Sequence, residues 1–240
     1  MSFFLIDKID GDNLFFEGQT AVHLNRSLRK KIGDEIIATD GKGNIFKGLI
    51  TEIKKDLVVA EIVSGSEVVQ DMKISVACSL LKKDSRFENF VEKATELGID
   101  TIVPLVCKHS IKHTIKNDRL EKIIISAAQQ SMNANHPKIL EVHSFIDFIS
   151  NPPEKYDEKY IGYAPDRRIN KSLEELYNGG SSVCVIIGPE GDFSQEELKL
   201  AIETGWIPVS IGEQRLRTET AAMMAVQILK TTFRIKSRLK

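Results

Sequence analysis

Residues 183–225 read VCVIIGPEGDFSQEELKLAIETGWIPVSIGEQRLRTETAAMMA. An apolar run at 183–187 breaks into Gly188-Pro189-Glu190-Gly191. A helical segment follows, then a second short apolar run at 206–211, a second turn at Gly212, and an alanine-rich helix. Strand, glycine turn and helix, repeated once, is an α/β pattern with a parallel sheet. Such sheets bind ligands where strand ends meet turns. This stretch is therefore expected to carry the active site, and the rest of the chain to support it.

The turns exclude two common chemistries. Ile187-Gly188-Pro189-Glu190-Gly191 lacks the lysine and hydroxyl of a phosphate loop, and it is not a dinucleotide GxGxxG. Ser194 followed by Glu197 is a capping box, which makes the helix at 195–203 structural. In the second turn, Gln214-Arg215-Leu216-Arg217-Thr218-Glu219-Thr220 brings several polar groups to a strand-to-helix junction. Thr218 or Thr220 can cap the helix that follows.

Upstream, short strand signals at 2–6, 13–16, 34–38, 45–53 and 57–63 suggest a small, mostly antiparallel barrel. Between them, residues 21–31 read AVHLNRSLRKK, a short helix burying Val22, Leu24 and Leu28. His23, Arg26, Arg29, Lys30 and Lys31 form a positive patch on it, either a solvated face or a phosphate contact. Residues 73–80, 87–97 and 102–106 form a βαβ-like unit, with Gly98 ending the helix and Pro104 marking an edge or an irregular end. A helix at 120–130, a strand at 139–142, a short helix at 145–149, a strand at 160–163, a strand-end loop at 164–168 and a helical turn at 172–177 complete the pattern.

Composition narrows the class. The chain has 240 residues, enough for one large or two modest domains, and a formal net charge of −1. The near-zero total leaves nucleic acid open, because binding depends on local patches. Cys78, Cys107 and Cys184 have no paired spacing and sit in apolar runs, so buried thiols are expected. The five histidines are scattered, and no metal-ligand constellation appears. No run approaches a membrane span and no leader pattern is visible, so a cytoplasmic protein is expected.

Three blocks, in this order, go further: Glu92-Lys93-Ala94-Thr95-Glu96-Leu97-Gly98, Ile187-Gly188-Pro189-Glu190-Gly191 and Leu216-Arg217-Thr218-Glu219-Thr220-Ala221. Ala127-Ala128-Gln129-Gln130-Ser131 and His23 with Leu28-Arg29 match more weakly. Together they make the chain resemble the RsmE family, SPOUT-class enzymes that methylate N3 of a uridine in 16S ribosomal RNA. The chain departs from the family at Gln129, Asn133, His109 and Asp192, where a glutamate, two arginines and a glycine are common.

The resemblance implies an α/β fold, a SPOUT-type domain with a C-terminal trefoil knot at 72–240, preceded by a small PUA-like β-barrel at 1–71 that binds RNA. It implies S-adenosylmethionine held by Ile187, Gly188, Pro189, Glu190, Gly191, Ser210, Ile211, Gly212, Gln214, Leu216, Thr218 and Thr220. Arg217 is expected to stabilise charge on the uracil or to hold a nearby phosphate. Glu219 is expected to orient Arg217 or to accept a proton. Arg26, Arg29, Lys30, Lys83 and Arg86 are expected to contact RNA. The implied partners are 16S ribosomal RNA within the small subunit and a second copy, forming a homodimer through the knot region. The competing readings are a non-catalytic RNA-binding or ribosome-assembly factor with the same fold, and methylation of another RNA position.

Overall fold

The computed structural model describes residues 3–163 and 171–238. The chain divides into two compact units, Met1–Val69 with Ile125–His136, and Gln70–Ile124 with Pro137–Lys240.

In the first unit, β1 (Phe4–Leu5), β2 (Lys8–Asp10), β3 (Asn13–Glu17), β4 (Glu35–Thr39), β5 (Asn44–Ile53) and β6 (Leu57–Glu67) form one sheet in the order β1-β4-β5-β6-β3-β2. Only β1 and β4 pair in parallel. The two outermost strands are consecutive in the chain, joined by Ile6 and Asp7. The Ile6 N–H donates to Thr39 O, and the Asp7 N–H donates to Phe15 O. Successive residues thus bond to opposite ends of the sheet, which closes on itself. Register breaks in β5 at Lys47/Gly48 and Ile50/Glu52 supply the bend that closure needs. Leu14, Phe16, Ile36, Ile50 and Val58 fill the interior.

One local expectation is corrected. α1 (Gly18–Val22) runs into a π-turn, His23–Ser27, closed by the Leu28 N–H on His23 O. The wider turn shifts the helical face. Ala21 and Leu24 are buried, while Leu28, expected inside, is 45% exposed.

The second unit holds a parallel sheet of β7 (Lys73–Ser79), β8 (Thr101–Val106), β9 (Lys138–Ile139), β10 (His143–Ser144), β11 (Glu158–Gly162), β12 (Ser182–Ile187) and β13 (Ile207–Val209). The order is β10-β8-β7-β12-β11-β13, with β9 also on β8. The helices are α2 (Asp84–Glu96), α3 (Asn117–Ser131), α4 (Phe145–Ser150), α5 (Leu173–Leu176), α6 (Gln195–Glu203) and α7 (Thr218–Arg238).

Strand alternation sorts the side chains onto two faces. Ile74, Val76 and Cys78 of β7 and Val183, Val185 and Ile187 of β12 join Phe90 of α2 and Ala222 and Ala225 of α7. Ala77, Cys184 and Ile186 point the other way, toward Phe145 and Phe148 of α4, Ala201 of α6 and Trp206. A sheet buried on both faces explains the continuous apolar runs. Each large apolar side chain buried here stabilises by about 1.5–3 kcal/mol relative to exposure. The small residues of α7 let its backbone approach α2 and the centre of the sheet. Gly98 follows α2 with φ +81°, the left-handed conformation expected of its cap.

Pro104 is not on an edge. β8 lies between β7 and the short strands β9 and β10, which pair with residues 101–102 and 105–106 respectively. Pro104 occupies the gap between them, on the side to which its even-numbered neighbour Ile102 bonds, so its missing N–H breaks no ladder. Of the strand expected at 139–142, only Ile139 is in a strand: β9 ends there, residues 140–142 are irregular, and β10 begins at His143. The expected loop at 164–168 lies outside the described residues, as does Ser2. The expected knot depends on how the return from β13 to α7 passes the 163–171 connection, most of which also lies outside them. Among the described residues no helix is long and apolar enough to cross a membrane.

Candidate active site

β12, β11 and β13 are neighbours and run parallel, so their C-terminal ends meet at one edge of the sheet. The segments leaving them, 162–163, 187–192 and 210–218, wall a cavity of about 550 Å³. Lys83 and Arg86 at the start of α2 and Ala221 of α7 complete the wall.

Ten of the twelve residues expected to hold a cofactor line this cavity: Ile187, Gly188, Pro189, Glu190, Ser210, Ile211, Gly212, Gln214, Leu216 and Thr218. Gly191 and Thr220 do not. Gly191 instead faces His109, where a Cβ would stand 3.2 Å from the His109 Cβ. Gly162, Tyr163, Asp192 and Arg215 line the cavity without having been expected. The strand signal at 160–163 was visible, but nothing local says that β11 lies between β12 and β13.

The turn after β12 is shaped by tight packing. A Cβ on Gly188 would lie 2.8 Å from Phe193 Cε2. Phe193 is buried against Phe145, with ring centroids 5.5 Å apart. Asp192 has φ +63°, which explains why a glycine suits that position. Asp192 relieves the strain locally, since its Oδ1 accepts from the Phe193 N–H at 2.8 Å, and its carbonyl bonds His109 Nδ1 at 2.9 Å. Below the turn, Ser194 and Glu197 form the expected capping box. Glu197 also accepts from the Lys108 N–H at 2.7 Å, fixing the loop after β8 to α6.

The charges are arranged by one arginine. The Arg86 Nε donates to Glu219 Oε1 at 2.8 Å and its Nη2 to Glu219 Oε2 at 2.5 Å. Its Nη1 donates to Glu190 Oε1 at 2.8 Å. This planar fork is the strong bidentate geometry. Arg86, expected on RNA phosphate, is thus committed to two carboxylates. Burial raises the Glu219 carboxyl pKa, but the bonds from Arg86 and a backbone N–H, with the charges of Arg86 and Arg217, bring it below its ordinary range. Glu219 is a weak base in this setting. Arg217 lines the cavity, is exposed, and has no hydrogen bond or ion pair from its guanidinium among the described residues. Arg26 and Arg29 are exposed in the first unit, and Lys30 donates to Glu35 O at 2.9 Å.

All three cysteines are buried. Burial pushes the Cys78 and Cys184 thiols up and holds Cys107 at about 12, so none is a nucleophile.

Residues 69–230 match the family described as an RNA methyltransferase domain, and residues 16–63 match the RNA methyltransferase PUA domain. The ribosomal RNA small subunit methyltransferase E of Bacillus subtilis (strain 168) is 26% identical over 224 residues, covering 88% of this chain and 87% of its own. A probable rRNA-methyltransferase from Porphyromonas gingivalis superposes with a TM-score of 0.85 at 34% identity, covering 94% of both chains. A ribosomal RNA small subunit methyltransferase E from Neisseria gonorrhoeae, solved bound to S-adenosyl methionine, superposes with a TM-score of 0.84 at 26% identity, covering 95% of this chain and 96% of that one. The fold is a PUA-like domain joined to a SPOUT-type methyltransferase domain. With the RNA methyltransferase match spanning most of its length and these likenesses running nearly end to end, the chain belongs to the ribosomal RNA small subunit methyltransferase E family.

Proposed function

We propose that the chain methylates N3 of one uridine in 16S ribosomal RNA, using S-adenosylmethionine. The observation that carries this reading is the cavity at three parallel strand ends with Arg217 at its wall, its guanidinium without a hydrogen bond or ion pair among the described residues.

The cavity suits that cofactor. Its volume of about 550 Å³ is in the range of small-molecule sites. Gly162, Gly188 and Gly212 line it without side chains, so a ligand can reach the backbone. Ile187, Ile211 and Leu216 offer apolar contact, and Ser210, Gln214 and Thr218 offer hydrogen bonds. The relative from Neisseria gonorrhoeae was solved with S-adenosyl methionine bound, which supports the same assignment here. When bound, S-adenosylmethionine supplies a methyl group already activated on a sulfonium.

The chain's own task is then alignment and charge. Uridine N3 carries a proton, and its lone pair becomes available only as that proton passes to solvent water. Negative charge then develops on the uracil oxygens beside N3. Arg217, uncommitted and at the cavity, stabilises that charge. Glu219, with its lowered proton affinity and both oxygens on Arg86, organises charge and does not remove the proton.

The PUA-like domain, 1–71, is assigned to RNA, with Arg26, Arg29 and Lys30 meeting phosphates, and Lys83 doing so from the cavity wall. Phosphate contacts hold register without reading sequence. The target uridine must be splayed out of any helix to reach the cavity. A homodimer through the region 187–220, working on the small subunit in the cytoplasm, completes the proposal.

The test is mass spectrometry of 16S ribosomal RNA from a strain lacking the gene, before and after incubation with purified protein and methyl-labelled S-adenosylmethionine. Assembled small subunits and naked RNA are compared. Loss of N3-methyluridine in the strain, restored at a single nucleotide by the protein, is expected. Arg217→Ala is expected to lower kcat by about 10²–10³-fold, as removal of one stabilising donor does. Unchanged methylation in the strain, with no label transferred, would sink the reading in favour of a binding role.

A further inference from the structure

Charge alone would pair Glu219 with Arg217. The two are separated by one residue at the start of α7, and Arg217 is among the charges that draw the Glu219 carboxyl down. They are nevertheless unpaired. Glu219 gives both oxygens to Arg86, which lies 133 positions earlier in the chain, and the remaining arm of Arg86 takes Glu190. The Arg86 side chain is 24% exposed and that of Glu219 10%, so this pair is better shielded from water than the surface pairs elsewhere. All three guanidinium nitrogens of Arg86 are occupied, so it has little left to offer RNA.

We infer that Arg86 is a positioning residue: by occupying Glu219 and Glu190 it keeps the Arg217 guanidinium free for the RNA substrate. The inference rests on the reading above, in which Arg217 is the cation that meets the uridine. It also explains why an arginine is needed at position 86. A lysine offers a point charge, which cannot span two carboxylates in one planar fork.

The experiment measures methyl transfer to small subunits by Arg86→Gln, Arg86→Lys, Glu219→Gln and the double variant Arg86→Gln/Glu219→Gln. Arg86→Gln is also made on an Arg217→Ala background, and the crystal structure of the single variant Arg86→Gln, which keeps Arg217, is determined. Arg86→Gln is expected to lower kcat roughly 2- to 5-fold, the worth of a new, partly exposed pair between Glu219 and Arg217. Arg86→Lys should lose less. Removing Glu219 as well should restore part of the loss, because Glu190 alone then remains to capture Arg217. The double variant also leaves no uncompensated Glu219 charge, so it keeps the comparison available if Arg86→Gln folds poorly. On the Arg217→Ala background, Arg86→Gln should cost nothing further.

A loss of the same factor with and without Arg217 would overturn the inference and leave Arg86 as structural glue. The crystal structure decides the pairing without reference to activity. Glu219 within about 4 Å of the Arg217 guanidinium supports the inference, and Glu219 turned away from Arg217 overturns it. Wild-type protein that transfers no methyl would remove the functional reading, a result distinct from either of these.

Discussion

At the scale of single residues, the turn after β12 carries the sharpest constraints. Gly188 has no room for a methyl group, because the nearest atoms belong to the ring of Phe193, itself buried against Phe145. Gly188→Ala must displace that ring or the turn. It should lower stability by about 1–3 kcal/mol and weaken S-adenosylmethionine binding, as read by urea unfolding and calorimetry. Asp192 makes a separable prediction. With φ +63° and its own bond to the Phe193 N–H, it should tolerate glycine nearly neutrally, while Asp192→Ala keeps the strain and loses the bond, at a cost of about 1 kcal/mol. Equal unfolding midpoints for the two variants would refute that account. Glu219 gives a pH signature. Its folded value lies below its ordinary one, so the stability it contributes is full above about pH 4.3, the unfolded value, and is lost as pH falls through the folded value. The stability gap between wild type and Glu219→Gln should therefore close in acid, below that pH, and stay constant above it.

At the scale of elements, what was legible in the sequence is what local chemistry dictates. α6 was legible from end to end because Ser194 and Glu197 sit three residues apart, and the structure joins them reciprocally. Glu197 is buried and also holds the Lys108 N–H, so Glu197→Ala strips acceptors from two backbone donors. Destabilisation of about 1–3 kcal/mol is expected from the orphaned groups, with the loop after β8 losing amide protection together with α6. The two-residue strands β1, β9 and β10 were blurred, because so short a pairing has no period of its own. The π-turn at His23–Ser27 was missed because 3.6-residue spacing places Leu28 inside, and one extra residue in the turn turns it out. The Arg86 fork was out of reach in the sequence. Its partners lie 104 and 133 positions away, and only the sheet order brings them to one place.

At the scale of the whole molecule, the cavity has no local existence. Its walls come from the ends of β11, β12 and β13 and the start of α2, and the strand order β7-β12-β11-β13 is not the order of the chain. Unfolding any of these strands removes a wall, so cofactor binding should be linked to the stability of this unit as a whole. A ligand that binds only the folded form stabilises by about 2.7 kcal/mol at one hundred times its Kd. S-adenosylmethionine at that ratio should raise the unfolding midpoint accordingly, and Gly188→Ala should need more ligand for the same gain. Hydrogen exchange locates the effect. Amides of β11, β12, β13 and α7 should slow together on adding the ligand, as one cooperative unit. Those of β5 and β6, which belong to the other compact unit and contribute nothing to the cavity, should keep their rates. Protection spread evenly over both sheets would mean that the two units unfold as one. Protection limited to the 187–192 turn would mean that the cavity forms without the cooperation of its strands.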